Sequence, residues 1–338
     1  MGEQRVHSGA HRVTILRPVL LALAAVGSGW LAVSGWASSP ELVETDSLMN
    51  KDIVDQGNDI HAMRSFMDDE DMAYSFHRHG FFNLHELYKQ APTERSPDNV
   101  NTIQTEYAVV SAGGDLGVTY GIWNSIVIGD STDIPADFYR DFVFGLRSGL
   151  WTAKWSPRGA PRHFYYRYVR VWRRAGPGQP WRLAAGPFVA ESDDSAGPPP
   201  AVPDRFEIQP RASNRANDTA VLRSLEATDR AYAAMLRDQG LRSAFGRFAA
   251  DDIYVMRNLK QTVIGRQAFL QLGKVLDVRL EMAPAGMLMA RSRDLRVVYG
   301  FEYRVEDREH PKPALYADVW RYQEGAWRLI FSYYSDLE

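Results

Sequence analysis

The sequence contains no cysteine, which excludes a disulfide framework, a thiolate metal site and a lipid-modified cysteine anchor. It also lacks an excess of either charge, because 39 basic residues stand against 42 acidic ones, for a formal net charge of −3. No lysine- or arginine-rich run occurs, so we expect no nucleic acid among its partners. Of the 338 residues 45% are hydrophobic, which is enough to build ordinary packed cores.

Charge is missing altogether from one N-terminal stretch. Residues 19–39 read "VLLALAAVGSGWLAVSGWASS", and three arginines precede them, Arg5, Arg12 and Arg17. A basic segment followed by an apolar one is typical of an export signal, and about 20 apolar residues also suffice to span a bilayer. We predict that residues 1–37 are a signal peptide or a retained N-terminal membrane anchor. The protein is then periplasmic or otherwise exported, and this segment contacts the membrane at least during export.

The chain repeats itself in three pairs of similar segments. The matching segments are "YVRVWRRAGPGQPWRL" (168–183) with "YADVWRYQEGAWRL" (316–329), "ETDSLMNKDIVDQG" (44–57) with "ATDRAYAAMLRDQG" (227–240), and "GDLGVTYG" (114–121) with "RDLRVVYG" (293–300). Such self-similarity indicates a tandem duplication.

The duplication predicts two domains. The first covers residues 41–186 and is divergent, with an insertion at 124–162 whose aromatic residues suit a core, a pocket lid or an interface. A proline-rich linker follows at 187–216, and the second domain covers 217–338.

The second copy gives the clearer pattern of secondary structure. Apolar residues recur at helical spacing from Leu222 to Leu236, and Gly240 stands where that helix should end. A short helix to Phe248 follows, and the segment 265–275 also has a helical pattern. Four strands are then expected, near 280–290, 295–306, 315–323 and 326–335, the last two joined by a Glu324-Gly325 turn. Helices first and an antiparallel sheet afterwards predict an α+β fold.

The order of helix, "FAADD", strand, "GRQAF" helix and four strands ending in "VWRYQEGAWRL" resembles the nuclear transport factor 2-like superfamily. Within it, the SnoaL-like and ketosteroid-isomerase-like group is the most similar. The resemblance implies two cone-shaped domains, each a curved antiparallel sheet covered by N-terminal helices. It also implies a mouth that holds a small apolar ligand. Members include cofactor-free enzymes and pure binding modules, so the fold leaves the function open.

The resemblance points to Tyr232 and Asp318 as candidate catalytic residues. Both match, to within a residue, the tyrosine and protonated aspartic acid of the isomerase oxyanion hole, an arrangement that is itself a worked case of a carboxyl kept neutral by an apolar wall. Arg257 stands where the isomerase has its general base, and an arginine cannot abstract a proton at neutral pH. Arg257 is therefore expected to bind an anionic group or to pair with Asp318. Glu302 alternates with aromatic residues and is expected to point outward.

Further residues are expected to line the ligand site beside this pair. The candidate ligand-binding residues are Arg257, Tyr299, Tyr303, Tyr316, Trp320 and Phe331. The first copy does not repeat the constellation, because Met49, Tyr74 and Arg170 replace Tyr232, Arg257 and Asp318.

No cofactor and no metal are expected. His77, His79 and His85 cluster in "HRHGFFNLHELY", but their spacing is not that of a known zinc motif, and histidines on a loop at the cone mouth are the alternative. Nucleophile triads and phosphate-binding glycine loops are absent from the sequence.

Three functions remain open at this point. The first is binding of a small apolar or aromatic molecule, the second is a cofactor-free lyase, isomerase or cyclase reaction in the second domain, and the third is assembly in the cell envelope. Sheet faces of this fold often pair, so either a dimer or an intramolecular pairing of the two domains is expected.

Overall fold

The computed structural model describes residues 39–56, 62–67, 73–75, 81–83, 99–127, 162–192, 205–208, 218–257, 262–307 and 312–336. These residues form two largely antiparallel sheets and a few helices, which confirms the predicted α+β class. Within those ranges no helix is long and apolar enough to cross a membrane. The predicted export segment, the bulk of the insertion and the three clustered histidines lie outside the described residues.

The described residues between 39 and 208, the first half of the chain, form a seven-stranded sheet and one helix that packs on it. Its elements are α1 (Ser39–Gln56), a 3-10 turn (Arg64–Phe66), β1 (Ala73–Ser75), β2 (Phe81–Asn83), β3 (Asn99–Val110), β4 (Leu116–Val127), β5 (Arg162–Arg173), β6 (Arg182–Ser192) and β7 (Arg205–Ile208). The strands lie in the order β2-β1-β6-β5-β4-β3-β7.

The second half, residues 218–336, builds a six-stranded sheet beneath three helices. Its elements are α2 (Asp218–Gln239), α3 (Leu241–Phe248), β8 (Ala249–Arg257), β9 (Val263–Ile264), α4 (Arg266–Leu270), 3-10 turns (Gly273–Leu276 and Val305–Asp307), β10 (Leu280–Met289), β11 (Leu295–Arg304), β12 (Ala314–Gln323) and β13 (Ala326–Asp336). The strands lie in the order β10-β11-β12-β13-β8-β9.

The two sheets have the same strand order over six strands. In each, one parallel pair, β1 with β6 or β8 with β13, joins a short hairpin to a four-stranded antiparallel meander. The first sheet has one strand more, because β7 pairs in parallel with residues 107–110 of β3. Two strands thus enter the predicted linker, since β6 runs to Ser192 and β7 lies at 205–208.

Local sequence explains most element boundaries in the second half. Helix α2 ends before Gly240, whose φ of 86° suits glycine and lets α3 begin at the next residue. The predicted helix over 265–275 is wrong in its second part: α4 ends at Leu270, and Gly273, with a φ of 70°, opens a 3-10 turn. The predicted Glu324-Gly325 turn between β12 and β13 is confirmed.

Each face of the second sheet is buried, but against different partners. Side chains on the inner face, the face towards α2 and α3, form one core with those helices. Side chains on the opposite face, which we call the shared face, form a core with residues of β3 to β6 in the first sheet. A third core lies between the first sheet and α1.

Aromatic rings dominate the shared face. The ring centroids of Tyr107 and Tyr254 are 4.9 Å apart, and those of Phe188 and Tyr333 are 5.8 Å apart. The Tyr333 hydroxyl also donates to the carbonyl of Val189 at 3.0 Å. Packing of this kind is stabilised by apolar burial and by tilted ring contacts.

The turns at 111–115 and 290–294 exchange matching hydrogen bonds. The Ala112 amide donates to Asp294 Oδ2 at 2.7 Å, and the Arg291 amide donates to Asp115 Oδ2 at 2.8 Å. Residues 112 and 291, like 115 and 294, differ by the 179 positions that relate the repeated segments. The contact is therefore reciprocal, as in an interface with a twofold axis.

Candidate functional site

The inner face of the second sheet carries polar side chains that are almost fully buried. Strand β12 places Tyr316, Asp318 and Trp320 on this face, since alternate residues of a strand share a face. Opposite Asp318 lie Val298 on β11 and Ser332 on β13. The candidate site is therefore built on a rigid sheet and closed by helices.

Asp318 is 1% exposed and is the central residue of the site. Its Oδ2 accepts a hydrogen bond from the Tyr232 hydroxyl at 3.4 Å, whereas its Oδ1 has no hydrogen-bond partner among the described residues. Burial raises the pKa of Asp318 to about 6, although the Arg257 charge and hydrogen bonds from the Ser332 and Tyr232 hydroxyls act against the rise. The carboxyl therefore changes its protonation state near neutral pH.

Tyr232 reaches Asp318 from helix α2. Its ring lies edge-on to Trp320 and Phe248, with centroids 4.9 and 5.6 Å away. Burial, followed by the Asp318 charge, raises the pKa of the Tyr232 hydroxyl well above its ordinary value, so the group remains a hydrogen-bond donor. The structure thus brings together the two residues predicted to be catalytic.

Arg257 ends β8 and forms a buried ion pair with Glu302 of β11. Its Nη1 donates to Ser332 Oγ at 3.1 Å, and its guanidinium carbon lies 4.8 Å from the Tyr334 ring centroid. The expected direct pairing of Arg257 with Asp318 is not among its contacts in the described part of the chain.

The expectation that Glu302 points outward is wrong. Glu302 does alternate with Phe301 and Tyr303, but it lies on the inner face and is 2% exposed. The prediction assumed that the face opposite the aromatic residues meets solvent, whereas both faces of β11 are covered.

Three of the predicted ligand-binding residues lie on the shared face, away from Asp318. Tyr299 packs in the shared core on β11, and Tyr303 falls on the same side by alternation. Phe331 changes face because Ile330 is an extra residue in the pairing of β13 with β12, between Leu329 and Phe331. This bulge puts Leu329 on the inner face and Phe331 on the shared face. Arg257, Tyr316 and Trp320 remain beside Asp318.

Tyr316 completes the site. It lies two residues before Asp318 and is fully buried, and its hydroxyl has no partner among the described residues. Burial and the charges of Asp318 and Glu302 raise its pKa, so it too remains protonated.

Sequence reasoning missed a second ion pair at the rim of the site. Arg296 on β11 donates to both carboxylate oxygens of Asp229 on α2, at 2.6 and 2.7 Å. The repeat could have pointed to Asp229, because this residue matches Asp46 of the first copy.

The corresponding interior of the first half is a hydrogen-bonded polar network. Asp46 Oδ1 accepts from Arg170 at 2.8 Å and from Thr119 at 2.9 Å. Its Oδ2 accepts from Tyr168 at 2.7 Å and from Thr105 at 2.5 Å. Both oxygens of this carboxylate therefore have partners inside the fold.

Among the described residues, no cluster of three or more histidine, cysteine or acidic side chains could hold a metal ion. His77, His79 and His85 fall outside those residues, and the absence of a cofactor stays a prediction. What the described site offers is a carboxyl, two tyrosine hydroxyls and a buried ion pair.

The fold and site together define an α+β protein with a buried aspartic acid–tyrosine pair between a sheet and its helices. No family model matches the chain, and no curated protein matches it either. Solved structures of nuclear transport factor 2-like proteins are similar to parts of it.

Three solved structures illustrate this likeness. A nuclear transport factor 2-like protein of unknown function from Pseudomonas putida is 16% identical, covers 35% of this chain and 87% of its own, and has a TM-score of 0.30. A candidate calcium/calmodulin-dependent protein kinase type II association domain from Thiobacillus denitrificans is 21% identical over 33% of this chain and 94% of its own, with a TM-score of 0.29. Nuclear transport factor 2 from Cryptosporidium parvum is 10% identical over 34% and 94%, with a TM-score of 0.28. None of them says what this chain binds or catalyses.

Proposed function

We propose that the chain is a tandem of two nuclear transport factor 2-like cones that binds a small molecule in the interior of its second half. Support for the tandem comes from the common strand order of the two sheets and from the reciprocal hydrogen bonds between their turns. In this proposal the domains pair through the shared face, as two subunits of a dimer would.

One observation carries the binding proposal: Asp318 Oδ1 is buried without a hydrogen-bond partner among the described residues. Buried polar groups in folded proteins are nearly always hydrogen-bonded, and an unsatisfied one destabilises the fold by about 1–3 kcal/mol. Such a group in a site with a second unpartnered hydroxyl, that of Tyr316, is explained by a ligand that completes both.

The walls of the site suit a small aromatic or apolar molecule with a polar end. Tyr232 and Trp320 present apolar ring surface next to the carboxyl, and Phe248 extends it. Sites of this composition obtain affinity from apolar contact and orientation from a few polar groups. In the first half, the Arg170–Asp46 network fills the corresponding position, so that half serves as the scaffold.

Native mass spectrometry of the purified full chain, followed by identification of any bound molecule, tests this proposal. We expect a retained small molecule in the parent protein and its loss in Asp318→Asn and in Tyr232→Phe. Tyr303→Phe is the matched control, because this tyrosine lies on the other side of β11 and should keep the ligand. A bare protein, or a ligand retained equally in all variants, would remove the site from the second half.

A cofactor-free isomerase or lyase is the second candidate, favoured by the raised pKa of Asp318 and by the Tyr232 hydroxyl beside it. Groups that donate or accept protons in a transition state contribute about 100- to 10,000-fold to rate. Turnover of the identified ligand, lost on that scale in Asp318→Asn, would establish catalysis; unchanged ligand after incubation would leave binding alone.

We also propose export, on the evidence of residues 1–37 alone. An envelope assembly partner would need exposed aromatic surface on the second sheet. The aromatic residues of the shared face are instead packed against the first sheet. Fractionation of cells that express the chain, with mass determination of its N-terminus, separates a cleaved signal from a retained anchor.

A further inference from the structure

The repeat makes the interiors of the two halves comparable position by position. Tyr168 on β5 pairs with Gly121 on β4, and Tyr316 on β12 pairs with the matching Gly300 on β11. Two residues later along these strands, Arg170 and Asp318 therefore hold the same place. That place has a positive group in the first half and a negative group in the second.

In the first half the guanidinium of Arg170 is bound inside the protein through its Nη1, while its Nε and Nη2 have no hydrogen-bond partner among the described residues. Its Nη1 donates to Asp46 Oδ1 at 2.8 Å and to Asn50 Oδ1 at 2.6 Å. Its central carbon lies 4.0 Å from the Tyr168 ring centroid, which is a cation–π contact. A carboxylate, an amide oxygen and an aromatic ring thus surround one cation.

The second half keeps the aromatic ring and one carboxylate of this cation site but has no guanidinium at the place of Arg170, and its carboxylate pairs with Arg296 instead. Tyr316 stands in the place of Tyr168, and Asp229 stands in the place of Asp46. Asp318 itself adds a carboxylate, whose Oδ1 is unpartnered within the described residues. The change from arginine to aspartate also removes most of a long side chain.

The buried charges of the two halves also favour a cation beside Asp318. The first-half network contains one carboxylate, Asp46, and one guanidinium, Arg170, so it is formally neutral. The buried interior of the second half contains two carboxylates, Glu302 and Asp318, and two guanidiniums, Arg257 and Arg296, whereas the Asp229 side chain at its rim is 41% exposed. Glu302 pairs with Arg257 and Asp229 pairs with Arg296, so Asp318 is the carboxylate of this set without an ion pair among the described residues.

The residues beside the two interiors differ on the side of α1 and α2. In the first half a cavity of about 440 Å³ lies between α1 and β3 and ends against Asn50 and Thr105, which belong to the Asp46 network. In the second half, Ala233 matches Asn50 by its position in the repeat, and Pro284 matches Thr105 by strand register. Both residues are exposed. The polar pair that closes the first-half network is thus replaced by small apolar groups.

We propose that the molecule bound by the second half is a compact organic cation, an amidinium, guanidinium or ammonium group on an apolar body. This inference rests on the proposed function and assigns the chemical class of its ligand. The cation donates a hydrogen bond to Asp318 Oδ1 and lies against the Tyr316 ring, as the Arg170 guanidinium does on Tyr168. The apolar body packs against Trp320 and Tyr232.

Calorimetric titration of the full chain with benzamidine, and with the neutral isostere benzamide, tests the class of ligand. Charge-assisted hydrogen bonds are worth about 10- to 100-fold in affinity, so benzamidine should bind at least about tenfold more tightly than benzamide. Asp318→Asn should remove that difference. The exposed Asp307→Asn is the control and should preserve it.

The pH dependence gives an independent readout. Only an ionised carboxyl can neutralise a cation, so benzamidine affinity should fall by about tenfold per pH unit below pH 6. The charged and titratable groups around Asp318 are Tyr232 and Asp229 on α2, Arg257 on β8, Arg296 and Glu302 on β11, Tyr316 on β12 and Tyr334 on β13. Asp318→Asn should abolish the fall near pH 6 if Asp318 is the group responsible.

A second variant keeps the test independent of the stability of Asp318→Asn. Asp318→Arg places a guanidinium where the first half has one, so this variant should fold and should not bind benzamidine. Equal affinities for benzamidine and benzamide, or benzamidine binding that Asp318→Arg leaves unchanged, would overturn the cation proposal.

Failure of the cation proposal is distinguishable from failure of the site. A neutral molecule that co-purifies with the parent chain and is lost in Asp318→Asn would overturn the cation and keep the site. A chain that retains nothing and is indifferent to Asp318→Asn in every titration would overturn both.

Discussion

At the residue scale, the two halves differ in the charge that occupies one buried place. Arg170 donates from its Nη1 to Asp46 and Asn50 within the fold. Asp318 is equally buried, but only its Oδ2 has a hydrogen-bond partner with a described position, Tyr232. In our proposal this place serves stability in the first half and recognition in the second.

The raised pKa of Asp318 predicts how its replacement changes stability with pH. In the unfolded chain the carboxyl has a pKa near 3.8, and in the folded chain it is about 6, so the folded state binds the proton more tightly. Its contribution is therefore most favourable below pH 4 and is lost as pH rises to 6, by about 3 kcal/mol in total. We expect ligand-free Asp318→Asn to be more stable than the parent at pH 7.5 and to lose this advantage at pH 4.

Urea unfolding at the two pH values measures this effect. The surface variant Asp307→Asn is the control and should leave the pH profile unchanged. If Asp318→Asn destabilises the ligand-free chain equally at both pH values, the folded carboxyl is not a poorly solvated group.

The Arg257–Glu302 ion pair predicts a non-additive pair of mutations. Glu302→Leu alone leaves a guanidinium buried without its carboxylate, a change that typically destabilises by about 3–5 kcal/mol. Adding Arg257→Met removes the stranded charge, so the double variant should recover most of that loss. Chemical denaturation of the parent, the two single variants and the double variant gives the coupling energy; strictly additive losses would contradict a direct pair.

At the element scale, sequence alone predicted the strands of the second half well and the facing of their side chains only in part. Alternation correctly grouped Tyr316, Asp318 and Trp320, because β12 is regular over that stretch. It failed at Phe331, because the single-residue bulge at Ile330 leaves no mark in the hydrophobic pattern. It failed at Glu302 because both faces of this sheet are covered, so a polar side chain in the pattern does not identify a face that meets solvent. The facing of these two side chains therefore depends on contacts between distant parts of the chain, which the local hydrophobic pattern does not reveal.

Close packing of neighbouring strands predicts opposite effects of one substitution at two glycines. A Cβ at Gly300 would lie 2.8 Å from the backbone of Pro284 on β10, closer than real Cβ contacts. Gly246 lies in α3, and a Cβ there meets nothing within 4 Å. We expect Gly300→Ala to destabilise by about 1–3 kcal/mol and Gly246→Ala to stabilise by about 0.5–1 kcal/mol.

Thermal unfolding of the two alanine variants compares them directly. Melting temperatures that shift in the same direction would contradict the close approach of β10 and β11 at this position.

At the scale of the whole molecule, the shared face joins the two sheets into one cooperative body. Tyr254 contacts both Tyr107 and Tyr120 of the other half, with centroids 4.9 and 5.4 Å away. Most of the aromatic surface of the second sheet is therefore buried inside the chain.

This shared core predicts coupled loss of stability in both halves. Tyr254→Ala removes a buried ring and should destabilise by about 3–5 kcal/mol, as truncation of large core aromatics does. Amide hydrogen exchange should then show reduced protection in β4 and β5 as well as in β12 and β13. Met287→Ala is the control, because this side chain is 53% exposed. Loss of protection confined to the second half would show that the halves unfold independently.

The central claim is that a ligand satisfies Asp318 in the intact protein, and a high-resolution crystal structure of the chain as purified tests it most directly. We predict electron density for a bound molecule other than water within hydrogen-bond distance of Asp318 Oδ1, with the molecule in contact with the Tyr316 ring. A side chain of this protein hydrogen-bonded to Oδ1 would contradict the account, because the carboxyl of Asp318 would then have partners at both oxygens without a ligand.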